Sequence, residues 1–409
     1  MTNVATLSSP VSPVLNRLEV RTNPDIDKVD LKICTRCIYD ERVSAIQFDE
    51  QGVCNYCRQV EALVDQYGTG QPKGEATFAS ILDDIRREGK GKQYDCIVGV
   101  SGGTDSSYLL CLAKEWGLRP LAVHYDNTWN SAIATMNIHK VLRGLNVDLY
   151  THVVANKEAD DIFRAFFLAG VAEIEASTDL GYAYLLRTVA AKYSVGFILE
   201  GHSFVEEGIT PLGRNYFDGG YIQGIHARFG RLKMETYPLM TFSRFLRSAV
   251  FQRVKFIRPL WYLRYSKEDA REILQRRFDW QYYGGHHLEN RMTAFFHSVY
   301  LPQKFGSDMR NNTLSARVRN GEMTRHQAWA EYNTNPYVED EIVSYFKKRL
   351  DLSDEQYEEV MSSRPRNWTE YPNYKKRFEQ LRPLFYLLAK ANLVPMSFYL
   401  KYCFPNRPI

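Results

Sequence analysis

The chain has 409 residues, 44% of them hydrophobic and 24% charged, with a formal net charge of +4. These are ordinary globular values with room for two or three domains, and the near-neutral charge gives no general preference for nucleic acid. No apolar run is long enough to predict a membrane span. The first residues lack a secretory signal pattern, so we predict a flexible lead-in over residues 1–30 and a cytoplasmic protein.

Two Cys-x-x-Cys pairs follow, Cys34–Cys37 and Cys54–Cys57, with sixteen residues between them. In a cytosolic chain such pairs hold a metal more often than they form a disulfide. Two such turns complete a closed tetrahedron of thiolates, so we predict a structural zinc ribbon over residues 31–60. An iron–sulfur cluster and four unmetallated core cysteines are the alternatives. Residues 61–92 repeat apolar side chains at helical spacing and predict a helical linker.

A short apolar stretch, residues 94–100, predicts a buried strand, and residues 106–116 predict a helix. Glycine in the turn between them allows a ligand to approach the backbone closely, and the first turn of the helix presents unpaired N–H groups to an anion. The turn therefore predicts an anion-binding loop; a plain turn without a ligand is the alternative. The candidate ligand-binding residues of this loop are Ser101, Gly102, Gly103, Thr104, Asp105, Ser106 and Ser107.

Strands and helices then alternate, which predicts a parallel sheet with ligands at the carboxyl ends of its strands. Asp126 ends the second predicted strand, where a strand-terminating turn and a nucleotide contact are equally good readings. Glu200 and His202 follow the fourth strand and would lie near the same ligand; a surface-loop position is the alternative for His202. Thr178 and Asp179 read as the N-cap of a helix over residues 180–193.

The second half of the chain changes character. Residues 208–230 are rich in glycine and aromatics and predict a mobile loop over the site. Residues 241–258 predict a basic, aromatic helix. The plain interpretation is that its basic face is exposed to solvent; the alternative is that it binds an anionic substrate. A Gly-Gly-His286-His287 sequence followed by Glu289 places titratable groups at a helix start, where sugar or ammonia handling is favoured over a second metal.

The remaining C-terminal region, residues 241–409 as a whole, is predicted to be mostly helical and to contact substrate or partner. Ser353-Asp-Glu-Gln356 has the pattern of a capping box.

The loop sequence SGGTDSS resembles the PP-loop of the ATP pyrophosphatases, which cleave ATP between the α and β phosphates. Together with the double Cys-x-x-Cys, the segment VHYDNTWNS and the segment from WQYYGGHHLENRM to GEMTRHQA, it resembles the N-acetyl sugar amidotransferases of bacterial surface-polysaccharide (O-antigen) biosynthesis. The resemblance covers about residues 30–335.

The resemblance implies an α/β fold: a parallel-sheet adenine nucleotide alpha hydrolase-like (PP-loop) domain over residues 93–240, with the zinc ribbon before it. It implies ATP and Mg²⁺ as cofactors beside Zn²⁺, and nucleotide contacts from the loop, Asp126 and Glu200. The implied reaction replaces an amide oxygen of an N-acetylated sugar with ammonia nitrogen, the ammonia coming from glutaminase- and cyclase-like subunits. The candidate catalytic residues are Asp105, Ser106, His202, His287 and Glu289.

Two other functions stay open from the sequence. A PP-loop tRNA thiolase shares the loop and often a zinc ribbon, but such enzymes commonly need a sulfur-carrying cysteine, or a further cysteine set for a cluster, near the loop. Here Cys96 and Cys111 fall inside a predicted strand and helix, where core packing is favoured, and Cys403 is isolated in the tail. The low net charge also argues against a large RNA footprint. A non-catalytic zinc-ribbon adaptor that only binds nucleotide is the third reading.

Overall fold

The computed structural model describes residues 23–209, 216–252, 254–284, 288–335, 337–391, 393–394 and 396–404. The strands are β1 (Cys96–Gly99), β2 (Pro120–Asp126), β3 (Leu149–Val153), β4 (Phe197–Leu199) and β5 (Lys255–Ile257). The helices of the first half are α1 (Asn55–Tyr67), α2 (Pro72–Gly89), α3 (Thr104–Glu115), α4 (Ala132–Leu145), α5 (Asn156–Ala169), α6 (Ala176–Lys192), α7 (Phe204–Glu207), α8 (Gly219–Phe229) and α9 (Phe242–Arg247).

The helices of the second half are α10 (Lys267–Phe278), α11 (Arg291–Phe295), α12 (Leu301–Phe305), α13 (Arg310–Arg319), α14 (Arg325–Tyr332), α15 (Ile342–Arg349), α16 (Asp354–Ser362), α17 (Lys375–Gln380), α18 (Arg382–Lys390) and α19 (Met396–Tyr402). The predicted helical character of this region is therefore confirmed, and the capping box at Ser353 and Gln356 forms as expected. Within the described ranges, no helix is both long enough and apolar enough to span a bilayer.

The five strands form one parallel sheet in the order β3-β2-β1-β4-β5, which confirms the predicted fold class. Successive residues of β1 point to opposite faces: Ile97 packs with α5 and α6, whereas Cys96 and Val98 pack with α2, α3 and α4. Both faces of the sheet are covered, which explains why its strands are continuous apolar runs rather than alternating ones.

The strand order reverses between β1 and β4. The chain moves outward from β1 through β2 to β3, then returns to the other side of β1. Ligands of open parallel sheets bind at such a switch point, beyond the carboxyl ends of the two strands. The predicted anion loop follows β1, and Glu200 follows β4, so both predicted segments lie at this crevice.

Several local predictions were wrong. Thr178 and Asp179 lie inside the first turn of α6 rather than before it, because the helix begins at Ala176. Part of the predicted mobile loop, residues 219–229, is the helix α8, in which Tyr221 and Ile225 are fully buried. Residues 210–215 of that loop lie outside the described residues, as do residues 1–22 of the predicted lead-in.

The predicted basic helix over residues 241–258 is also different. Helix α9 covers only its first part and continues as a π-helical turn, Ser248–Gln252, after which β5 joins the sheet beside β4. The pairing of Phe256 with Ile198 explains the change, since a fifth strand next to β4 covers what would otherwise be a sheet edge. The sheet thus extends beyond residue 240.

A buried carboxyl group marks the packing between α5, α6 and α8. Glu173 accepts hydrogen bonds from the Tyr216 backbone amide at 3.3 Å and from the Tyr221 hydroxyl at 3.4 Å. Burial raises the pKa of Glu173 to about 8, more than the hydrogen bonds lower it. The side chain is therefore protonated in the folded protein at neutral pH.

This protonation predicts a pH-dependent stability. Because Glu173 keeps its proton when folded but loses it above about pH 4.5 when unfolded, the free energy of unfolding falls as pH rises towards 8, by up to about 1.4 kcal/mol per pH unit. The substitution Glu173→Gln removes this contribution. Denaturant unfolding of both proteins at pH 5.5 and 7.5 measures it: the variant gains on the wild type as pH rises, and a pH-independent difference would show that Glu173 is ionised in the fold.

Candidate functional site

The four cysteines of the predicted ribbon come together in one buried cluster. All four Sγ atoms lie within 4.8 Å of one another, and the Cys34–Cys57 and Cys37–Cys54 pairs are 3.9 and 3.8 Å apart. A tetrahedral zinc site with bonds of about 2.3 Å has edges of about 3.8 Å, so the donor set fits that ion. Backbone amides of Arg36 and Tyr39 also point at these sulfurs. The cluster can hold a closed metal site with no open position for a substrate.

The cysteine cluster is packed against α13 and α14, far along the chain. The Tyr39 hydroxyl donates to Asn312 Oδ1 at 2.7 Å, and Arg325 Nε donates to the carbonyl of Cys37 at 3.2 Å. Arg319 places Nη1 3.9 Å from Cys57 Sγ. Its Nε and Nη2 are buried and have no hydrogen-bond partner in the described part of the chain. The guanidinium is thus positioned by the thiolates rather than by a carboxylate.

The predicted anion loop has the geometry that its glycines suggest. Gly102 has a φ of +84°, and Gly103 is the N-cap of α3 without a side-chain cap of its own. Ser106 Oγ accepts from the Ser101 backbone amide at 3.3 Å, and Ser101 Oγ accepts from that of Gly103 at 3.3 Å. Thr104 and Ser107 are buried beneath the turn, whereas Ser101 is exposed. The start of α3 therefore faces an open crevice with amides and hydroxyls.

Asp105 does not face the crevice as a free carboxylate. Lys267 Nζ lies 2.8 Å from Asp105 Oδ2, and the hydroxyl of Tyr265 donates to Oδ1. Burial would raise the pKa of Asp105, but the Lys267 ammonium and the tyrosine hydroxyl outweigh it and hold the pKa below its usual value. Asp105 is therefore ionised, and it fixes the first turn of α3 to the segment that begins α10.

Glu289 closes the mouth of the loop from the opposite side. Ser101 Oγ donates to Glu289 Oε1 at 3.4 Å, and the carboxylate is buried. A Cβ at Gly103 would meet Glu289 Oε1 at 3.1 Å and Tyr283 Oη at 3.2 Å, so a larger residue there would have to displace these side chains by a few tenths of an ångström. The Trp280 indole also donates to the Gly102 carbonyl at 3.1 Å. The segment around residues 280–289 thus forms a second wall of the site.

The residues after β4 form the third wall. Gly201 lies so close to the loop that a Cβ there would be 2.9 Å from the Asp105 carbonyl. His202 is exposed; its Nδ1 accepts from the Trp261 indole at 3.3 Å, and Nε2 lies 3.2 Å from Glu207. Glu200 is bound to Arg258 at 2.9 Å. The predicted proximity of this segment to the loop is therefore seen, with the Glu200 carboxylate already paired.

The residues at the end of β2 make hydrogen bonds within the fold, although their position also suggested a nucleotide contact. Asp126 Oδ1 accepts from the Thr128 backbone amide at 2.7 Å and closes a turn, which is the plainer of its two readings. Next to it, Asn290 Nδ2 donates to Asn127 and Asn130. This amide cluster joins the end of β2 to the start of α11, and so holds Glu289 in register with the loop.

Two predicted site residues, His286 and His287, lie outside the described residues. The described residues on either side of them, Gly284 and Leu288, belong to the wall that carries Glu289.

The first comparison with known proteins concerns the part of the chain that begins at Glu289. Residues 289–382 match the family model described as "LPS biosynthesis protein WbpG-like, C-terminal domain". These 94 residues, about a quarter of the chain, are similar to a WbpG-like domain. This match confirms the resemblance expected from the sequence, and Glu289 is the first residue of the matched range.

A further relative is similar over part of its length. An uncharacterised protein of Methanocaldococcus jannaschii is 28% identical over 171 residues, which is 41% of this chain and 58% of that protein. The match thus spans less than two thirds of the relative.

Among solved structures, NMN synthetase from Francisella tularensis is similar, with 13% identity, 74% of this chain and 96% of that chain covered, and a TM-score of 0.29. NH3-dependent NAD synthetase from Campylobacter jejuni has 13% identity, with 70% of this chain and 95% of that chain covered and a TM-score of 0.30. The U34-tRNA thiolase NcsA from Methanococcus maripaludis has 12% identity, with 79% of this chain and 99% of that chain covered and a TM-score of 0.30. The fold assignment rests on the strand order and loop geometry of this chain.

Several residues of the site were missed by sequence reasoning. Lys267 and Tyr265 hold Asp105 and belong to no recognisable local motif. Trp280 and Tyr283 line the loop; they lie in the segment WQYYGGHHLENRM that carried the resemblance, but they were not singled out as site residues. Each contacts the loop across more than 150 positions of sequence: Tyr265 is 160 residues from Asp105, and Trp280 is 178 from Gly102. The aromatic segment before the WbpG-like domain was the one available signal.

Arg319, on α13 of the WbpG-like domain, predicts a measurable effect on metal retention. A divalent ion with four thiolates carries net charge −2, which the guanidinium beside Cys57 offsets. Arg319→Met should speed metal release to a chelator by about tenfold, roughly 1.4 kcal/mol. The matched control is Arg317→Met on the exposed side of the same helix.

Chromophoric chelator assays on the purified, metal-loaded proteins give the release rates. Cobalt substitution then shows by the thiolate-to-cobalt absorption band whether the four ligands persist. Equal release rates for the Arg319 and Arg317 variants would remove the charge-compensating role from Arg319.

Proposed function

We propose that the protein is an ATP-dependent amidotransferase of lipopolysaccharide (O-antigen) biosynthesis. It converts the acetamido group of an N-acetylated, nucleotide-linked sugar into an acetamidino group and releases AMP and pyrophosphate. The observation that carries the proposal is the Ser101–Glu289 contact of 3.4 Å, which joins the anion loop to the start of the WbpG-like domain. An anion site alone would not favour a sugar, and the domain alone would not favour ATP.

The chemistry explains why such a reaction needs ATP. An amide oxygen is a poor leaving group, so the acetamido carbonyl oxygen first attacks the α-phosphorus of ATP and pyrophosphate departs. Ammonia then adds to the imidate carbon, the C–O bond breaks, and the former amide oxygen leaves as part of AMP with loss of a proton. Atoms balance as acetamide plus ATP plus ammonia giving acetamidine, AMP and pyrophosphate.

The loop is suited to the departing pyrophosphate. The amides at the start of α3, with the hydroxyls of Ser101 and Ser106, surround the position where negative charge develops. Asp105 is paired with Lys267, whereas Glu289 lies at the loop mouth beside Ser101. Carboxylate oxygens suit Mg²⁺, so Glu289 would help to hold the ion that neutralises phosphate charge when it is bound with ATP.

The remaining roles are assigned by position. Glu289, buried at the loop mouth, would act on the incoming ammonia or the sugar amide, with His287 beside it in sequence and His202 across the crevice. All seven cysteines are buried, so none is presented as a glutaminase nucleophile. We therefore propose that ammonia arrives free or from glutaminase- and cyclase-like subunits, in the cytoplasm, and that nucleic acid is not a partner.

The same burial disfavours the tRNA thiolase alternative. A sulfur carrier must expose a reactive thiolate, but burial raises the pKa of Cys111 and Cys403 to about 11. Cys96 is fully buried in β1. The four ribbon cysteines lie close to one another and to α13 rather than to the loop.

The reaction is tested by following one oxygen atom. The protein is incubated with ATP, Mg²⁺, an ammonium salt and UDP-linked acetamido sugars labelled with ¹⁸O in the acetyl carbonyl. We expect ¹⁸O in AMP and a sugar in which NH replaces the carbonyl oxygen. Label retained in the sugar, or AMP formed only with tRNA and a sulfur donor, would overturn the proposal in favour of hydrolysis or thiolation respectively.

A second test concerns Lys267. Without its ammonium, burial dominates at Asp105 and the carboxyl tends to hold a proton, which loosens the start of α3. Lys267→Met should lower the rate of pyrophosphate release by about 10²-fold or more, as should Asp105→Asn. The matched control is Lys347→Met, which removes an ion pair with Asp354 away from the loop. Unchanged turnover in a folded Lys267→Met protein would exclude the ion pair from the mechanism.

A further inference from the structure

The last described helices, α18 and α19, carry exposed apolar side chains. On α18, Leu384 is 39% exposed, Tyr386 44% and Leu387 65%, and on α19 Leu400 is 60% exposed. Single exposed leucines are common, but these residues occupy two helices in contact with each other. The rings of Tyr386 and Tyr399 are 5.6 Å apart, which brings the exposed edge of α18 next to that of α19. We call this surface the C-terminal face.

The spacing along α18 separates it into stripes. Phe385, Leu388 and Ala389 are buried against the core. On the outside, Leu384 and Leu387 form an apolar stripe at a spacing of three. Beside it, Arg382, Tyr386 and Lys390 follow one another at a spacing of four, and Lys390 Nζ lies 5.6 Å from the Tyr386 ring. The helix therefore presents an outer apolar stripe bordered by cations, in addition to its inner buried side.

The charge of this region is one-sided. Between residues 371 and 404 the chain has six basic residues, Lys375, Lys376, Arg377, Arg382, Lys390 and Lys401, and one acidic residue, Glu379. Glu379 lies 3.7 Å from Lys375. Lys376, Arg377, Arg382 and Lys390 are exposed. Helix α9, which packs on the same helices through Phe245, adds the exposed Arg247.

We propose that the C-terminal face binds the surface of an anionic lipid bilayer. Leucines and a tyrosine at the tip, bordered by lysines and arginines with only one acid among them, are the pattern of helices that lie in a membrane interface. Each cation near an anionic surface adds electrostatic attraction, and the exposed leucines add apolar contact with the acyl chains. The protein would thus be held at a membrane without spanning it.

An acidic protein would satisfy the same cations, but it is the less suitable occupant. A protein interface usually buries its aromatic and apolar anchors in complementary pockets, with long flexible lysines depleted at its centre. Here Arg382 and Lys390 lie on the same helix as the apolar stripe, in the row next to its exposed leucines. A fluid surface that accepts Leu387 and Leu400 among its chains, and offers phosphates around them, needs no such pocket.

Flotation of the full-length protein with vesicles tests the proposal. We expect binding to vesicles of phosphatidylcholine with phosphatidylglycerol, weakening with NaCl, and little binding to phosphatidylcholine alone. The double variant Leu387→Asp/Leu400→Asp should bind at least about tenfold more weakly, since it removes the apolar contact and adds repulsion. Lys376→Gln/Lys390→Gln should weaken binding and its dependence on salt.

The matched control is Leu232→Asp, which places the same charge at another exposed leucine, 47% exposed, outside the C-terminal face. Circular dichroism and thermal unfolding check that each variant is folded. Binding that the leucine variant shares equally with the control would reduce the face to non-specific charge attraction and overturn the proposal. Absence of vesicle binding, with concentration-dependent self-association lost in the leucine variant, would make the face a contact between copies of the chain instead.

Discussion

Unpaired N–H groups at the start of α3 are the constraint around which the rest of the site is arranged. A helix that begins directly beyond a parallel strand leaves its first amides without intrahelical partners, and burial of such groups is costly. The chain answers in part with a hydroxyl of its own: Ser101 Oγ accepts from the amide of Gly103, the N-cap of α3, while Ser106 Oγ accepts from the Ser101 amide of the preceding loop. What is left faces the crevice where the strand order reverses, and an anion is the natural complement.

The surroundings of the loop then follow from its need to be both open and rigid. Glycines permit close approach of the wall around Glu289 and of the residues after β4, while Asp105 ties the helix to Lys267. Glu289 adds negative charge at the mouth of this anion site, which is unfavourable unless a cation is shared. The positive helix end beside this acid is the physical basis for the proposal of a nucleotide with its metal ion, rather than a simple anion, in this position.

Much of the fold was predictable because its signals are local. The apolar runs before Ser101 and Glu200 gave strands of the right type and place, since strands buried on both faces have no alternation to confuse. The four cysteines were equally clear, because two Cys-x-x-Cys pairs at this spacing predict one common site. The sheet and the cysteine cluster therefore needed no knowledge of long-range packing.

The failures have the opposite origin. Strand β5 was read as a helix because Lys255–Ile257 is too short for a period to be seen, and only its neighbour β4 makes it a strand. Lys267 and Tyr265 were missed since nothing in their local sequence indicates a carboxylate 160 residues earlier. Asp126 sits where a ligand contact was plausible, yet its turn geometry depends on Thr128, which adopts a φ of +63° that no pattern announces.

The distance in sequence between the loop and its walls has a consequence for the order of folding. Ser101 and Glu289 are 188 residues apart, so the central sheet and the first four helices can condense well before the residues that close the loop are available. Contacts of such high separation form late and slow the final step. During synthesis the nascent chain would expose the open loop for many seconds before residue 289 emerges from the ribosome. Completion of the site therefore waits for synthesis of the last third of the protein.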